Sequence, residues 1–274
     1  MKSSMTYVND EMRQKEKKQN HTPAVKFDHV TFTYAGAGAP SLKDISFQAM
    51  PGETIGIIGG TGSGKSTLVS LIPRFYDPQD GQVYMDGENV TEYTRKSIGE
   101  KVGIVQQRSV LFQGTIRDNL NATDEDIWKA IEIAQAKEVV EGKMGKLDFQ
   151  LEQNGRNLSG GQKQRLTIAR ALVKKPEILI LDDSASALDF ATDAALRKAI
   201  HGLEGKMTTF LVSQRVAGIK QADKILVLGN GELAGQGTHE ELMKNCEVYQ
   251  EIYYSQFPEE KLREKINYDE KGEA

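Results

Sequence analysis

Short apolar runs recur along the chain, and their spacing predicts β-strands. Val25 to Tyr34 alternates apolar with polar positions, as a half-buried strand does, and Leu42 to Met50 follows as a second strand. Gln82 to Gly87 comes after a turn-rich stretch and predicts a hairpin strand. Five short, largely apolar runs predict further strands, and the continuous run at 178–181 is typical of a central parallel strand. These runs are residues 54–58, 102–105, 178–181, 208–212 and 224–228.

Apolar residues at helical spacing predict helices between and after these strands. Residues 67–72 have this spacing and stop at a proline, and the stretch from 124 to about 143 is also helical. A long helix begins at Ser159. The apolar residues on one side of it are Leu166, Ile168, Ala169 and Leu172. Thr238-x-x-Glu241 is a capping box that starts the last clear helix.

A glycine-rich loop joins the strand at 54–58 to the helix that follows it. It matches G-x-x-x-x-G-K-[ST] at every fixed position, in the strand–loop–helix context that the motif requires. Backbone N–H groups of such a loop surround phosphate oxygens, Lys65 reaches the β- and γ-phosphates, and the Ser66 hydroxyl binds Mg²⁺. A flexible glycine turn is the plain alternative, which the complete match disfavours. The predicted nucleotide-binding residues are Gly59, Gly60, Thr61, Gly62, Ser63, Gly64, Lys65, Ser66 and Thr67.

A carboxylate follows the apolar run at 178–181. Parallel strands end at one edge of a sheet, so Asp182 is expected to face the phosphate loop and to hold Mg²⁺ through water. A turn aspartate at the end of a core strand is the alternative, and it is common for such a run taken alone. The phosphate loop favours the functional interpretation.

A second predicted anion site lies at the start of the long helix. Leu158, Ser159, Gly160, Gly161 and Gln162 satisfy the capping-box pattern, so an ordinary helix start is one interpretation. Two glycines in a first turn are costly unless something must approach the backbone closely. A hydroxyl and bare N–H groups at a helix N-terminus suit a phosphate. Since one nucleotide needs one such site, we expect this one to serve a nucleotide held by another subunit.

Composition narrows the class of protein. The 274 residues are 38% hydrophobic and 27% charged, as in soluble globular proteins, and allow one large domain or two small ones. The net charge of -4 does not indicate a nucleic-acid-binding surface, which is usually basic. The single cysteine, Cys246, excludes a disulfide framework and suits a reducing compartment. No apolar run approaches the ~20 residues of a membrane span, and the N-terminus has no signal-peptide core.

The combination of the phosphate loop, the 158–162 segment and Asp182 followed by Ser186-Ala187-Leu188-Asp189 resembles the ATP-binding cassette of ABC transporters. The resemblance covers about residues 25–250. It implies an α/β fold: a P-loop NTPase core with a mainly parallel sheet, an antiparallel β subdomain and a helical subdomain at about 108–172. Residues 1–24 are then a linker remnant, and 251–274 a C-terminal helix and frayed tail.

The resemblance also implies roles for individual residues. Tyr34 falls where an aromatic ring stacks on adenine, and Gln107 falls at the Q-loop that touches Mg²⁺ and the membrane domain. Ser66, Gln107 and Asp182 are thus the implied metal site, and ATP and Mg²⁺ the implied cofactors. Residues 158–162 match the signature motif, and Ser186, Ala187, Leu188 and Asp189 match the D-loop. A strand-end tyrosine, a surface glutamine and a helix cap are the plain alternatives for positions seen alone.

The segment Gln113–Asn119, its spacing from Gln107, and the stretch Leu158–Arg170 resemble the exporter branch of the family. In that branch the cassette usually follows a transmembrane domain on the same chain, which suggests an excised cassette here. The implied partners are that transmembrane domain and a second half-transporter, with no nucleic acid. The implied location is the cytoplasmic side of the cell membrane, with the fragment itself soluble.

Two positions depart from the family pattern. Asp183 stands where the family has a glutamate that polarises the attacking water, and Gln214 stands where it has the switch histidine. The aspartate carboxylate retracts by about 1.5 Å, a bond length, and a glutamine amide carries neither charge nor a transferable proton. A softer departure lies at Gln150–Gly155, before the signature, where exporters have a different segment; it suggests altered communication with a partner.

These departures resemble the degenerate half of a heterodimeric ABC exporter. Such a chain holds ATP, hydrolyses it poorly at its own Walker site and completes the partner's competent site with an intact signature. One alternative is a homodimeric exporter that uses aspartate as the base. Another is a soluble ABC protein acting on DNA or ribosomes, disfavoured because the chain has one cassette and no long insertion. A module that uses ATP only to dimerise stays open.

Overall fold

The computed structural model describes residues 22–183, 187–203 and 207–260. The described residues form strands in three sheets. In chain order the strands are β1 (Val25–Phe32), β2 (Leu42–Ala49), β3 (Thr54–Gly59), β4 (Asp80–Met85), β5 (Glu88–Asn89), β6 (Val102–Val105), β7 (Gly114–Thr115), β8 (Gln150–Leu151), β9 (Ile178–Asp182), β10 (Thr208–Val212), β11 (Lys224–Gly229) and β12 (Glu232–Gly237).

Nine α-helices lie within the described residues. They are α1 (Lys65–Leu71), α2 (Arg95–Lys101), α3 (Ile116–Leu120), α4 (Asp124–Ile133), α5 (Lys137–Glu141), α6 (Gly160–Leu172), α7 (Phe190–His201), α8 (His239–Asn245) and α9 (Glu247–Gln256). Within the described part of the chain, none of the helices has the length and apolar character needed to cross a bilayer.

The central sheet has the order β12-β11-β3-β10-β9-β6, and only β12 runs antiparallel to its neighbour. All five residues of β9 and all five of β10 are buried, because helices and the second sheet cover both faces. The five largely apolar runs of the sequence therefore form parallel strands, as predicted. The carboxyl ends of β3, β10, β9 and β6 lie along one edge of the sheet.

A smaller antiparallel sheet has the order β2-β1-β4-β5. Its inner face carries Phe27 and Phe47, whose rings stack with centroids 4.7 Å apart. Phe47 also contacts Phe210 of β10, at 6.4 Å between centroids, so the small sheet shares a core with the central one. This is the antiparallel β subdomain that the family resemblance implies.

Helices α3 to α6 and the β7–β8 pair occupy residues 114–172. Their buried residues, such as Leu120, Ile131 and Leu166, belong to a second apolar cluster that also includes residues of the central sheet. This confirms that helices predominate between the small sheet and β9. The bounds 108–172, like the division at residues 24 and 250, stay predictions.

One helix prediction needs correction. The predicted helix from 124 to about 143 is two helices, because the chain turns at Gln135, whose φ is +55°. Arg165 of α6 donates to the Gln135 carbonyl at 2.9 Å, which stabilises the break. The capping box at Thr238 is confirmed, and α9 follows α8 where the resemblance implies a C-terminal helix. The predicted frayed tail beyond 260, and residues 1–21 of the predicted linker, lie outside the described residues.

The C-terminal helices give a pH-dependent contribution to stability. The His239 ring accepts or donates a 2.8 Å hydrogen bond with the Tyr249 hydroxyl, and burial, followed by the charge of Lys220, lowers the pKa of His239 despite the opposing charges of Glu240 and Glu260. The unfolded state then binds the proton more tightly, so folding stability falls as pH drops below about 6.5 toward the folded pKa.

Replacing His239 with glutamine is expected to remove this part of the acid destabilisation. The test compares urea midpoints at pH 7.5 and 5.5 for the unmodified chain, His239→Gln and the exposed-site control His201→Gln. The midpoint drop should shrink in the first variant only. An equal drop in all three proteins would contradict the prediction.

Candidate functional site

The phosphate loop lies at the carboxyl end of β3 and leads into α1. Gly62 and Gly64 have φ of +78° and +99°, a region that favours glycine, and Gly64 is the N-cap of α1. A Cβ on Gly59 would lie 2.2 Å from the Leu228 carbonyl oxygen, so the loop packs against β11. Gly60 has open space where its Cβ would be. Gly62 and Gly64 thus allow the turn, Gly59 allows close packing against β11, and Gly60 leaves the backbone accessible.

The Lys65 ammonium lies against the loop. Its Nζ donates to the carbonyl oxygens of Gly59 at 2.8 Å and Gly60 at 2.7 Å. Burial lowers the pKa of Lys65, while the charges of Asp183 and Asp182 act in the opposite direction. The lysine is therefore a cation bonded to the loop and under the influence of two carboxylate charges, a charge arrangement that suits a phosphate chain with its metal.

Asp182 faces the phosphate loop, as its position at the end of β9 predicts. The Ser66 hydroxyl donates to Asp182 Oδ1 at 3.1 Å, and only 8% of Asp182 is exposed. Burial raises the pKa of Asp182, and the Ser66 hydrogen bond lowers it in part. A hydroxyl and a carboxylate oxygen at this spacing are hard oxygen donors, which are the ligands Mg²⁺ prefers. The residues present therefore fit the cation.

Strand order brings three polar side chains together beside this pair. Since β9 lies between β10 and β6, Asp183 emerges between Gln214 and Gln107, which follow those neighbouring strands. Asp183 Oδ2 accepts hydrogen bonds from Gln107 Nε2 at 3.2 Å and Gln214 Nε2 at 3.5 Å. The Asp183 N–H donates to the Val212 carbonyl at 3.0 Å, and its φ is +46°. The two positions that depart from the family pattern are thus in direct contact.

Tyr34 lies next to the phosphate loop. Its hydroxyl shares a 3.0 Å hydrogen bond with Thr67 Oγ1, and its ring makes edge contacts with Phe32 and Tyr76 at 4.8 and 5.2 Å between centroids. Tyr76 is 44% exposed and is a neighbour that sequence reasoning missed. The stacking of Tyr34 on adenine stays a prediction.

The signature segment begins α6 with both halves of a capping box. Ser159 Oγ accepts from the Gln162 N–H at 3.3 Å, and Gln162 Oε1 accepts from the Ser159 N–H at 3.2 Å. Leu158 is buried, whereas Ser159 and Gly160 are exposed, and a Cβ on Gly160 would meet no atom within 4 Å. Among the described residues, no hydrogen bond joins residues 158–162 to the phosphate loop.

The predicted D-loop is described in part. Ser186 lies outside the described residues. The Ala187 carbonyl oxygen would be 3.1 Å from a Cβ on Gly161, so this loop packs against the signature. Leu188 is buried, and Asp189 caps α7 by accepting from the Thr192 N–H at 2.9 Å. Hydrogen bonds from Thr192 hold the pKa of Asp189 below its usual range.

A residue near the end of the described chain contacts the segment that carries Gln214, and sequence reasoning did not predict this contact. Gln256, the last residue of α9, contacts the backbone on both sides of Arg215. No local pattern marks it, because its partners lie 40 and 42 residues earlier.

The family model described as ABC transporter matches residues 42–186, more than half of the chain. This chain belongs to the ABC transporter family. An ABC transporter ATP-binding protein of Mycobacterium tuberculosis, itself uncharacterized, is 44% identical over 243 residues, which cover 86% of this chain and 41% of that protein. A Bacillus subtilis protein of the same description is 44% identical over 241 residues, with 86% and 42% covered. Our chain thus spans about two fifths of the length of the curated relatives that it matches.

A solved structure extends the comparison to exporters. A bacterial Atm1-family ABC exporter with ATP bound has a TM-score of 0.82 and 36% sequence identity, over 86% of this chain and 42% of that one. A Staphylococcus aureus relative, provisionally named a multidrug export ATP-binding/permease protein, is 40% identical over 234 residues, covering 84% of this chain and 40% of its own length. The chain has the fold of an ABC ATPase and is an ATP-binding domain of the ABC transporter family.

Proposed function

We propose that this ABC domain belongs to one half of a heterodimeric exporter and that its own nucleotide site retains ATP longer than it hydrolyses it. The observation that carries the proposal is the cluster of Asp183, Gln107 and Gln214 at the carboxyl edge of the sheet. The intact signature, residues 158–162, completes the hydrolytic site on the partner. ATP binding here and hydrolysis there are coupled to export.

The residues around the phosphates divide into binding and activating groups. The phosphate loop with Lys65 holds the β- and γ-phosphates, and Tyr34 supports the adenine. Ser66 and Asp182, with Gln107 at the edge, would hold Mg²⁺, which neutralises charge on the phosphates when it is bound. These groups position the nucleotide. None of them activates the attacking water.

Water activation is the weak step at this site. Asp183 is one carbon shorter than glutamate, about 1.5 Å of reach, and its Oδ2 already accepts two amide hydrogen bonds. The two amide donors hold the carboxylate in place and occupy the oxygen that a water molecule would otherwise approach. Gln214 can hydrogen-bond a γ-phosphate but cannot take up or release a proton. The site is therefore built to bind.

The partners follow from the same arrangement. The exposed Ser159 and Gly160 offer a hydroxyl and backbone N–H groups that no described residue of the phosphate loop contacts. A nucleotide held by a second half-transporter would use them. The coverage of longer exporter relatives supports a transmembrane domain as the other partner and a position on the cytoplasmic side of the membrane.

A mixing experiment tests this division of labour with the chain itself. One variant carries Asp183→Glu and Gln214→His together with Gly160→Asp, which gives a restored Walker site and a signature that repels phosphate. The other protein is the unmodified chain. Each alone should hydrolyse ATP slowly, while the mixture should exceed the sum of the two by tenfold or more, because one composite site then has every group. Steady-state phosphate release across mixing ratios is the measurement.

The control replaces Gly160→Asp with Gly99→Asp. Gly99 is also an exposed helical glycine with open space around its Cβ position, so the added charge is matched without touching the signature. That triple variant should be active alone and gain nothing from mixing. A mixture that never exceeds the sum of its parts, at concentrations where the control is active, would refute the proposal.

A further inference from the structure

The side-chain amide of Gln256 forms two hydrogen bonds with the backbone that follows β10. Its Nε2 donates to the Gln214 carbonyl oxygen at 2.8 Å, and its Oε1 accepts from the Val216 N–H at 2.9 Å. This orientation of the amide follows from its partners. If the group were flipped, Nε2 would face the Val216 N–H, a second donor, and Oε1 would face the Gln214 carbonyl, a second acceptor. We call residues 213–216 the switch segment.

The switch segment is held from both sides. On the sheet side, the Ser213 N–H donates to the Ile57 carbonyl at 3.1 Å, and Ser213 Oγ accepts from the Arg215 N–H at 3.0 Å. On the other side, Gln256 joins the carbonyl of Gln214 to the N–H of Val216. Together these bonds fix the backbone from which the Gln214 side chain reaches Asp183.

Helix α9, which carries Gln256, is anchored in the protein core. Tyr249 and Tyr253 of the helix are buried in the core, and the Tyr249 hydroxyl bonds to the His239 ring at 2.8 Å. Because Gln256 is the last residue of α9, a small shift of the helix end moves the switch segment directly. The Gln214 amide is 3.5 Å from Asp183 Oδ2, a separation at which sub-ångström shifts decide whether the bond exists.

We propose that Gln256 is a positioning residue: it sets the switch segment so that position 214 meets position 183 and the γ-phosphate. The inference rests on the proposed role of Gln214 at the nucleotide site. Both of these hydrogen bonds join Gln256 to backbone atoms, so they do not depend on which side chain occupies position 214. The C-terminal helix is thereby part of the nucleotide site.

Two matched variants test the proposal. Gln256→Met keeps the length and packing of the side chain and removes both hydrogen bonds. Gln250→Met, on the same helix, removes one side-chain bond, to the Met243 carbonyl at 2.8 Å, away from the switch segment. Amide hydrogen exchange of the switch segment, residues 213–216, is measured in both variants and in the unmodified chain. Gln256→Met should speed exchange in this segment roughly five- to tenfold, as expected for losing one protecting hydrogen bond, and Gln250→Met should not.

Turnover gives the second measurement. In the Asp183→Glu/Gln214→His background, Gln256→Met should lower kcat at least fivefold with KM for ATP unchanged, whereas Gln250→Met should leave both constants unchanged. Equal exchange in the two variants, or equal turnover, would overturn the positioning role. If the background itself fails to hydrolyse ATP, the proposed function fails, and the exchange comparison still decides whether Gln256 holds the switch segment.

Discussion

Replacing Asp183 with glutamate and Gln214 with histidine together is expected to raise the steady-state ATPase rate of this ABC domain by about 10²-fold, the lower end of the range for general acid–base catalysis. The longer carboxylate reaches the water that attacks the γ-phosphate. The histidine takes over the phosphate contact with a group that can carry charge. Both changes act at the two side chains that now bond to each other.

The single variants should give far less than the double variant. The single variant Asp183→Glu still has Gln214, which cannot gain or lose a proton. The single variant Gln214→His still has Asp183, whose side chain is too short to reach the attacking water. Side chains in one hydrogen-bonded cluster are expected to be non-additive.

The measurement is phosphate release at saturating ATP for all four proteins, with Gln236→His as an exposed-site control for the added histidine. An unmodified chain that turns over as fast as the double variant would show that aspartate serves as the base. The homodimeric interpretation would then be correct. A double variant no faster than either single variant would show that the two positions are not coupled.

The sheet edge could be predicted from the sequence because it follows from local patterns. Apolar runs at 178–181 and 208–212 have a single interpretation as parallel strands once a phosphate loop precedes them. Strand ends of a parallel sheet share one edge, so Asp182 had to face Ser66. The capping box at Ser159 is equally local, since both of its hydrogen bonds close within three residues.

The contacts that the sequence did not reveal depend on strand order and on distant packing. That Gln107 and Gln214 converge on Asp183 requires β9 to lie between β6 and β10, which no pattern within a single strand specifies. The break at Gln135 is fixed by Arg165 from another helix, against the local helical spacing. Tertiary contacts override helix propensity in such cases.

Lys65→Ala is expected to weaken ATP binding about 10- to 100-fold, as the loss of a charge-assisted hydrogen bond implies. The ammonium is already held over the loop by the carbonyls of Gly59 and Gly60, so little side-chain freedom is lost when it meets a phosphate. Without it, Asp182 and Asp183 would leave the site with uncompensated negative charge toward the nucleotide.

The measurement for Lys65→Ala is the Kd of ATP with Mg²⁺ by calorimetry, with Lys244→Ala as a control that removes the same charge from an exposed position. Lys65→Arg separates charge from shape: a guanidinium keeps the charge but is a planar fork, whereas the ammonium is a compact point donor. The Lys65→Arg variant should recover a minor part of the lost affinity for ATP. Raising the salt concentration should narrow the gap between unmodified chain and Lys65→Ala only slightly, because the partly buried ammonium is poorly screened. An alanine variant that binds ATP as tightly as the unmodified chain would mean that the backbone N–H groups alone hold the phosphates.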